Sequence, residues 1–368
     1  MKYNVMLEEF CEAYGLGKVM ESVLTPKGLT NRTYIVKTTQ SKYVIKALNP
    51  QKVATEKDRQ KIETSEIIAQ LANQAGIPSI YAKRINNRQV HEFHGQFYIV
   101  FDFSPGKVIN ISVITPEICH HMGSLLATLH NTKFEIKSQK YRYARNFKAE
   151  SVNWNYYFNK LSNKKKVPKW LFQLEKNTKD LYDMFELARS DFIKFNPLDT
   201  VVSHGDMFSH NVLWHEDIPY IIDWETSGVI DATYDCIYTA MRWSMQATDG
   251  QEKMLNKEKL FAFLKGYAKL RRIDVKRLDI VLSIIWYRRL LYLRDALRRY
   301  LKPEDKTDKK RASRGVAYNL SILKCYKEFR SFLPDVKKYI IKQQPAMHSR
   351  KYYFLKFLKR IIGRLMTN

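Results

Sequence analysis

The chain is poor in the residues that usually mark linkers, disulfide frameworks and low-complexity segments. Its 368 residues include only 13 glycines, 11 prolines and 4 cysteines. The cysteines lie far apart, and no two have the spacing of a metal site or a redox pair. Neither an internal repeat nor a Gly/Ser-rich linker is visible. These deficits exclude a disulfide-stapled scaffold and a repeat protein, and they favour inert thiols in a reducing compartment.

Long hydrophobic runs are also missing from the sequence. The N-terminal segment lacks the apolar core of a signal peptide. No window of about 18 residues is apolar enough to cross a membrane. We therefore predict a cytoplasmic protein. Hydrophobic residues make up 45% of the chain, which is enough for a sizeable core, and the length favours two domains or one large bilobal unit.

Acidic residues are scarce relative to basic ones. The chain has 37 Asp and Glu against 63 Lys and Arg, a net charge of +26. Such an excess attracts polyanions, including nucleic acids, anionic lipid headgroups and acidic glycans. Because no RNA- or DNA-binding motif is present, nucleic acid is not predicted as a partner.

The C-terminal segment 343–368 is predicted to form a basic amphipathic helix. Its apolar residues follow helical spacing and its basic residues fall largely on the opposite side, a pattern typical of helices that lie on anionic membranes. The alternative is a helix that packs this stripe on the rest of the protein. A peripheral contact with the inner face of the membrane is therefore one expectation. The stripe consists of Phe354, Phe357, Leu358, Ile361, Ile362 and Leu365.

Strand patterns dominate the first part of the chain, and helix patterns dominate the rest. Alternating and apolar segments predict strands at 19–24, 33–38, 43–48, 80–85 and 96–103, with a helix at 55–74. A break at Ser104–Gly106 precedes long helical patterns, which a short β-rich island interrupts at 201–224. We therefore predict an α+β bilobal organisation. Its parts are a β-rich lobe at 1–103, a larger helical lobe at 104–342 and the tail at 343–368.

The β-rich island contains the chemistry-bearing residues. It reads H-G-D-M-F-S-H-N from His204 to Asn211, and after a hairpin it continues I-I-D-W-E through Asp223. The hairpin returns Asp223 toward the loop that carries Asp206 and Asn211. Oxygen ligands of this kind suit Mg²⁺, and a carboxylate beside such a site can accept the proton of an attacking hydroxyl.

This pattern, H-G-D-x₄-N followed by I-I-D-W-E, resembles the signature of the aminoglycoside phosphotransferase and choline kinase superfamily. The resemblance implies a protein-kinase-like fold and an enzyme that uses ATP and Mg²⁺. It also implies that Asp206 is the catalytic base and that His204 braces the loop. Asn211 and Asp223 would hold the metal.

The same resemblance assigns nucleotide contacts to the first part of the chain. Lys46, on the third predicted strand, would reach the α- and β-phosphates. A glutamate on the next helix would pair with it, either Glu66, our choice, or Glu63. The segment L-T-N-R-T-Y resembles the phosphate-covering turn of choline- and thiamine-kinase-like proteins. The remaining expected nucleotide contacts are Thr30 and Asn31 in this turn and the backbone of Asp102 and Phe103 beside adenine.

The acceptor is less clearly indicated. Aromatic residues of the helical region could bind a quaternary ammonium such as choline, but at helical spacing they more often form the core. Asp231 and Asp235 could serve a cationic acceptor, and Asp235 could equally cap a helix. The net charge of +26 opposes a polycationic aminoglycoside and favours an anionic or surface-bound acceptor.

Three functions therefore remain open. The first is an ATP- and Mg²⁺-dependent phosphotransferase acting on a hydroxyl of a small molecule or of a glycan- or lipid-linked acceptor, as in lipopolysaccharide biosynthesis. The second is an antibiotic phosphotransferase of the aminoglycoside type. The third, of another class, is a non-catalytic pseudokinase or structural protein at the cell envelope. The sequence does not distinguish ATP from GTP.

Overall fold

The computed structural model of the chain describes residues 2–25, 31–135, 152–163, 167–247 and 253–344. Thr30 and the predicted tail helix from residue 345 onward lie outside the described residues. The described helices are α1 Lys2–Ala13, α2 Glu56–Gln74, α3 Pro116–Asn131, α4 Trp154–Ser162, α5 Leu171–Lys176, α6 Thr178–Lys194, α7 Ala232–Ser244, α8 Lys257–Ala268, α9 Leu278–Leu301, α10 Lys306–Ser321, α11 Leu323–Ser331 and α12 Leu333–Gln343.

Short strands complete the secondary structure and concentrate in the first part of the chain. They are β1 Val19–Leu24, β2 Arg32–Thr38, β3 Lys42–Ala47, β4 His91–Phe93, β5 Gln96–Asp102, β6 Lys107–Val108, β7 Thr200–Ser203, β8 Val212–His215, β9 Ile218–Ile221, β10 Gly228–Asp231, β11 Met245–Ala247 and β12 Lys253–Leu255. The predicted α+β class is confirmed, with a β-rich first part and a mostly helical remainder. Within the described ranges, no helix is both long and apolar enough to cross a membrane.

The chain forms two compact units. The first comprises Met1–Ile109, Thr132–Ile136 and His204–Gly228, and the second comprises Asn110–Asn131, Lys137–Ser203 and Val229–Asn368. The units are discontinuous in sequence, whereas the predicted segments 1–103, 104–342 and 343–368 are continuous. Those segment boundaries stay predictions. The packing places residues 204–224 of the predicted catalytic island in the same unit as the predicted nucleotide-binding strands.

A five-stranded antiparallel sheet of order β1-β2-β3-β5-β4 forms the centre of the first unit. Both of its faces are covered. Tyr43 and Ile45 of β3 pack on one face with Phe10 of α1. Val44 points to the opposite face, where it packs beside Ile62 of α2. Side chains alternate between faces along a strand, so Lys46 shares the face of Val44 and of helix α2.

Helix α2 begins and ends on recognisable sequence signals. The Thr55 side chain caps the first turn by accepting a hydrogen bond from the backbone N–H of Asp58, at 3.2 Å. The helix stops before Gly76, whose φ of +85° suits glycine. The prediction for this helix is therefore confirmed.

The strand predicted at 80–85 is wrong. This segment makes single backbone contacts instead of a continuous ladder. Ile80 N–H donates to the Ile221 carbonyl at 2.9 Å, and Lys83 N–H donates to the Val100 carbonyl at 2.7 Å. The segment thus crosses from one strand to another, and its apolar residues reflect burial between them rather than strand pairing.

The β-rich island joins the first unit through this contact and through β6. Strands β8 and β9 form a hairpin, and β6 pairs with β8. Glu216 and Asp217 at the tip have φ values of +48° and +61°, the left-handed conformation that tight hairpin turns require. The turn brings the end of β9, and therefore Asp223, back beside the start of β8.

The second unit is built mainly from packed helices, of which α3 and α8 make the closest approach. A side chain at Gly123 would place its Cβ 2.1 Å from the Phe263 carbonyl oxygen, and one at Gly266 would lie 2.1 Å from that of His120. Only glycine allows two helix backbones to cross at this separation.

Candidate active site

Lys46 and Asp223 form an ion pair at the centre of the candidate site. The Lys46 Nζ donates to Asp223 Oδ1 at 2.9 Å, although 177 positions separate the two residues. Burial lowers the pKa of Lys46, but the charge of Asp223 outweighs it, and the pKa is raised overall. Burial raises the pKa of Asp223, but Lys46 outweighs it and the net shift is downward. Both groups are therefore charged at neutral pH.

Asp223 has an unusual backbone conformation. Its φ of +65° and ψ of +54° lie in the left-handed region, where a residue other than glycine is strained. Strain of this kind persists where the surrounding structure imposes it, commonly at functional sites. Here the left-handed residue turns the chain out of β9, so the carboxylate points at Lys46.

Glu66 does not contact Lys46 directly, contrary to our expectation of an ion pair. It is 4% exposed, and its Oε2 accepts a hydrogen bond from the backbone N–H of Ala82 at 2.9 Å. Burial raises the pKa of Glu66 to about 7, while the nearby charge of Lys46 lowers it. The direct partner of Lys46 is Asp223 because the hairpin brings this carboxylate to the lysine. Glu63, the alternative, is partly exposed one turn earlier.

Asp206 and Asn211 are joined within one loop. The Asn211 Nδ2 donates to Asp206 Oδ2 at 3.0 Å and to the Asp206 carbonyl at 2.9 Å. Because the amide nitrogen is turned to Asp206, the amide oxygen is the group that remains to act as a ligand. Asp206 keeps its second carboxylate oxygen, and its side chain is 35% exposed.

The buried His204 ring holds the loop that carries Asp206. It is fully buried, and its Nδ1 accepts a hydrogen bond from the backbone N–H of Asp206 at 3.2 Å. Because Nδ1 is an acceptor, Nε2 carries the proton and donates to the Ile222 carbonyl at 3.0 Å. The ring thus ties the backbone of Asp206 to the residue before Asp223, and the bracing role of His204 stays a prediction.

A second ion pair lies beside the first and was not predicted from the sequence. Lys52 Nζ donates to Glu225 Oε1 at 3.0 Å. Glu225 is the last residue of the I-I-D-W-E motif, and its place in this motif was the sequence feature that could have indicated a role in the site. Lys52 follows β3 in a short turn, where nothing in the local pattern marks it.

The other predicted nucleotide residues have structural contacts of their own. The Asn31 Oδ1 accepts a hydrogen bond from the backbone N–H of Asn49 at 3.0 Å, which holds the chain entering β2. The Phe103 N–H donates to the Lys42 carbonyl at 3.1 Å, so this N–H is not available to adenine. The Asp102 carboxylate pairs with Lys83 at 3.0 Å. Backbone contacts between this segment and adenine stay a prediction.

Asp231 and Asp235, weighed above for a cationic acceptor, are both buried in the second unit. Asp231 caps α7 by accepting from the Tyr234 N–H at 2.9 Å, and it pairs with Arg277 at 2.7 Å. Asp235 accepts from the Ser203 hydroxyl at 2.6 Å and lies 3.1 Å from His130. Neither is open to an acceptor, and the helix cap is Asp231 rather than Asp235.

Most aromatic residues weighed for choline binding belong to cores. Tyr156 and Tyr292 are the exceptions, with exposed fractions of 47% and 38%. The buried ones are Trp154, Tyr157, Trp170, Trp224, Tyr234, Tyr238, Trp243, Trp286 and Tyr287. Core packing therefore accounts for this group, as helical spacing usually indicates.

The donor set around Asp223 fits a divalent cation only in part. Among the described residues, no cluster of three or more His, Cys, Asp or Glu side chains could hold a metal ion. The site offers the carboxylate of Asp223 and the amide oxygen of Asn211. Mg²⁺ is usually bound by one or two protein groups together with phosphate oxygens and water. The residues present suit a metal that arrives with a nucleotide.

Known proteins resemble the chain in sequence and in fold. Its sequence is 22% identical over 275 residues to a homoserine kinase from Methylobacillus glycogenes, covering 72% of this chain and 76% of the relative. A spectinomycin phosphotransferase solved with ADP and spectinomycin superposes with a TM-score of 0.62 at 14% identity, covering 87% of this chain and 97% of that one. A choline/ethanolamine kinase family protein from Mesorhizobium loti gives a TM-score of 0.55 at 17% identity, with 90% and 99% covered.

The family model of the phosphotransferase enzyme family, APH, matches residues 23–273. This match covers the β-rich strands with Lys46, the loop of Asp206 and the residues that follow Asp223. The predicted superfamily and the predicted enzyme class, a small-molecule kinase that phosphorylates hydroxyl groups, are confirmed. The chain belongs to the phosphotransferase enzyme family.

Proposed function

We propose that the protein transfers the γ-phosphate of ATP to a hydroxyl group of a small acceptor in the presence of Mg²⁺. The observation that carries this proposal is the Lys46–Asp223 ion pair. It joins the predicted phosphate-binding lysine to the predicted metal ligand within one unit, 2.9 Å apart. Phosphoryl transfer depends mainly on positioning and charge stabilisation, and this pair supplies a cation and a metal-binding anion side by side.

Lys46 would bind the phosphates once a nucleotide and metal enter. Its charge is balanced by Asp223 in the free protein, and a metal on Asp223 would compete for that carboxylate. The lysine would then be released to the phosphate oxygens. Glu66, buried on the adjacent helix, would compensate the lysine through its charge, since its pKa of about 7 allows ionisation near neutral pH.

Asp223 and Asn211 would hold the divalent cation, which neutralises charge on the transferred phosphoryl group when bound. Asp206 would accept the proton of the acceptor hydroxyl on the carboxylate oxygen that does not bond Asn211. His204 is a positioning residue, because its two ring nitrogens bond backbone groups and reach no reacting atom. These assignments give each residue one of the roles that phosphoryl transfer requires, namely metal binding, proton acceptance and positioning.

The acceptor proposed is a hydroxyl compound that is uncharged or anionic. The net charge of +26 and the burial of Asp231 and Asp235 both weigh against a polycationic antibiotic. A glycan- or lipid-linked acceptor remains part of the proposal on the same charge argument. The non-catalytic alternative is weakened because every side chain required for transfer is present.

An Asp206→Asn variant tests the proposal. Asparagine keeps the size of the side chain and an oxygen for the Asn211 amide, but it cannot take a proton. We expect kcat to fall by about 10³-fold, while ATP binding by calorimetry changes by less than about twofold. Product is measured with γ-labelled ATP across a panel of choline, ethanolamine, homoserine, aminoglycoside and sugar acceptors.

Asp217→Asn is the matched control. It removes a carboxylate from the exposed hairpin tip of the same unit, at a left-handed position that asparagine tolerates. Activity of this variant should match that of the unmodified protein. Undiminished product formation by Asp206→Asn would refute the role of Asp206. Nucleotide binding without product on any acceptor would favour the non-catalytic alternative.

A further inference from the structure

The first unit contains a cavity that the proposed phosphotransfer does not use. Its volume is about 210 Å³, and it is lined by the end of α1, the first half of α2, the turn before β4, and parts of β4 and β5. All of these segments belong to one unit. The described residues that line it include none of those assigned to phosphoryl transfer. Pockets for drug-sized ligands measure roughly 300 to 1,000 Å³, so this cavity suits a smaller molecule.

His91 of β4 lines the cavity with a ring that has one nitrogen unpaired. The residue is 3% exposed, and its Nε2 is buried without a hydrogen-bond partner among the described residues. Burial lowers the pKa of His91, while a hydrogen bond with the Lys83 backbone raises it, so the ring is the donor in that bond. The net shift of the pKa is downward, and the ring is neutral at pH 7. A neutral imidazole that donates through one nitrogen accepts through the other, so Nε2 is an acceptor.

Two carboxylates on the cavity wall lack a cationic partner. Glu63 of α2 and Glu92 of β4 line the cavity, and within the described ranges neither takes part in an ion pair. The neighbouring Glu56 differs, because it pairs with Arg59 at 2.9 Å. The Arg59 guanidinium also lies 5.0 Å from the centroid of the Phe97 ring, so its charge and this aromatic face are already engaged. The charges of Glu63 and Glu92 therefore remain available to a ligand.

Contacts of Tyr14 hold this wall in place. The Tyr14 ring packs against the His91 ring, with centroids 5.0 Å apart. Its hydroxyl donates to the Glu92 backbone carbonyl at 2.7 Å, so that donor is already used within the protein. The wall formed by Tyr14 and β4 is therefore ordered by the protein itself, while the His91 Nε2 and the Glu92 carboxylate keep their capacity to accept hydrogen bonds.

We propose that this cavity binds the primary ammonium group of a small molecule. The acceptors on its wall, the His91 Nε2 and the carboxylates of Glu63 and Glu92, complement an ammonium group, which has three N–H donors and no acceptor. The two carboxylates attract a cation locally, although the net charge of +26 repels it at long range. Arg88, which also lines the cavity and is exposed, would bind a carboxylate if the ligand carries one. The site does not depend on the phosphotransfer proposed above and is tested by binding.

Binding of n-butylamine, followed by calorimetry on the full chain, tests the site. Butanamide has the same number of carbon atoms and carries no charge, so it is the matched neutral compound. We expect butanamide to bind at least about tenfold more weakly, because hydrogen bonds between charged groups contribute that much or more. Equal affinity for the two compounds, or no binding of n-butylamine, would overturn the proposal.

Three variants test the residues on the wall. Glu63→Gln keeps the size of the side chain and removes its charge, and it should raise the dissociation constant of n-butylamine at least about tenfold. His91→Phe keeps a ring and removes the acceptor, and it should weaken binding about threefold or more. Glu92→Gln alters an exposed residue and provides a milder probe. Urea unfolding midpoints establish that each variant is folded. Undiminished affinity in both Glu63→Gln and His91→Phe would refute the site.

Two controls separate this site from other carboxylates of the same unit. Glu21→Gln removes an exposed carboxylate from β1, at the opposite edge of the sheet from β4, and it should change n-butylamine binding by less than about twofold. Asp206→Asn removes the proposed base and should leave this binding intact. Equal weakening by Glu63→Gln and Glu21→Gln would show diffuse attraction and contradict the proposal. Loss of binding in Asp206→Asn would assign the amine to the candidate active site instead, and the cavity would be excluded.

The ammonium group could belong to a simple amine or to an amino acid, and Arg88 distinguishes the two. Norvaline adds a carboxylate to the first carbon of n-butylamine and changes nothing else. If the site takes amino acids, norvaline should bind more tightly than n-butylamine, and Arg88→Gln should remove that gain. If the site takes simple amines, norvaline should bind no more tightly, and Arg88→Gln should leave n-butylamine binding unchanged. Either result supports the ammonium site and identifies the kind of compound that carries the group.

Discussion

Positively charged side chains in the two units are held by different kinds of partner. In the first unit, Lys46 and Lys52 each meet a carboxylate from the β-rich island, at 2.9 and 3.0 Å. In the second unit, Arg289 is held by a tyrosine hydroxyl and by tyrosine rings. A paired cation is stable until a ligand competes for its partner, whereas a cation on neutral groups keeps its attraction for an external anion. The difference predicts that losing a carboxylate partner changes the protein more than losing a tyrosine contact.

The largest expected effect comes from breaking the central pair of the first unit. Asp223→Asn removes the partner of Lys46 and the proposed metal ligand together. We expect kcat to fall by about 10² to 10³-fold, the range found when one electrostatically stabilising group is removed from a catalytic site. The Mg²⁺ concentration that gives half-maximal activity should also rise. Activity against Mg²⁺ concentration checks this, and an unchanged Mg²⁺ dependence would contradict the role of Asp223.

A comparably large effect on stability is expected from the paired arginine of the second unit. Arg277→Gln leaves the buried carboxylate of Asp231 without its cation, which should lower the free energy of unfolding by about 3 to 5 kcal/mol. Arg289→Gln leaves no carboxylate of the described residues without its cation, so it should lower the free energy of unfolding by less than about 1 kcal/mol. Urea unfolding of the two variants gives the comparison directly. Similar losses in both would abolish the distinction drawn between paired and tyrosine-held arginines.

The double variant Arg277→Gln/Asp231→Asn sharpens this test. Asparagine still caps α7, but it is uncharged, so no buried charge is left without a partner. Stability should therefore recover in part relative to Arg277→Gln alone. If it does not recover, packing of the arginine side chain rather than its charge accounts for the loss.

A smaller and pH-dependent effect is expected at Glu66. Its pKa is about 7 in the folded protein against 4.5 in the unfolded chain, so the folded state holds a proton that the unfolded state releases between these values. Stability from this group is complete below about pH 4.5 and is lost as the pH rises to 7. Relative to Glu66→Gln, the protein should lose up to about 3 kcal/mol across this window.

Urea unfolding of the protein and of Glu66→Gln at pH 4.5, 5.5 and 7 measures how the free energy of unfolding changes with pH because of Glu66. Because the charge of Lys46 lowers the pKa of Glu66, a Lys46→Met background should extend the loss to higher pH. A difference between the protein and Glu66→Gln that is constant with pH would show that burial does not perturb this carboxyl group.

Local patterns were sufficient for much of the fold. Helix α2 follows from the Thr55 cap and the stop at Gly76, and strand β3 follows from its alternation. The segment 80–85 has the same apolar composition, yet its backbone contacts two different strands once each. The apolar composition of a segment indicates that it is buried. Whether it pairs as a strand depends on where the neighbouring strands lie, and a short stretch of sequence does not contain that information.

What the sequence by itself determined was the identity and spacing of the reactive groups: Asp206, Asn211 and Asp223 around one hairpin, and Lys46 on a strand. Only the tertiary structure decided how they pair. Lys46 meets Asp223 rather than Glu66, and the tyrosine faces of α7 and α9 meet arginines rather than an external ammonium. Residue types and short spacings are local properties, whereas the partner of a charged side chain is set by distant segments, 177 positions away for Lys46 and Asp223.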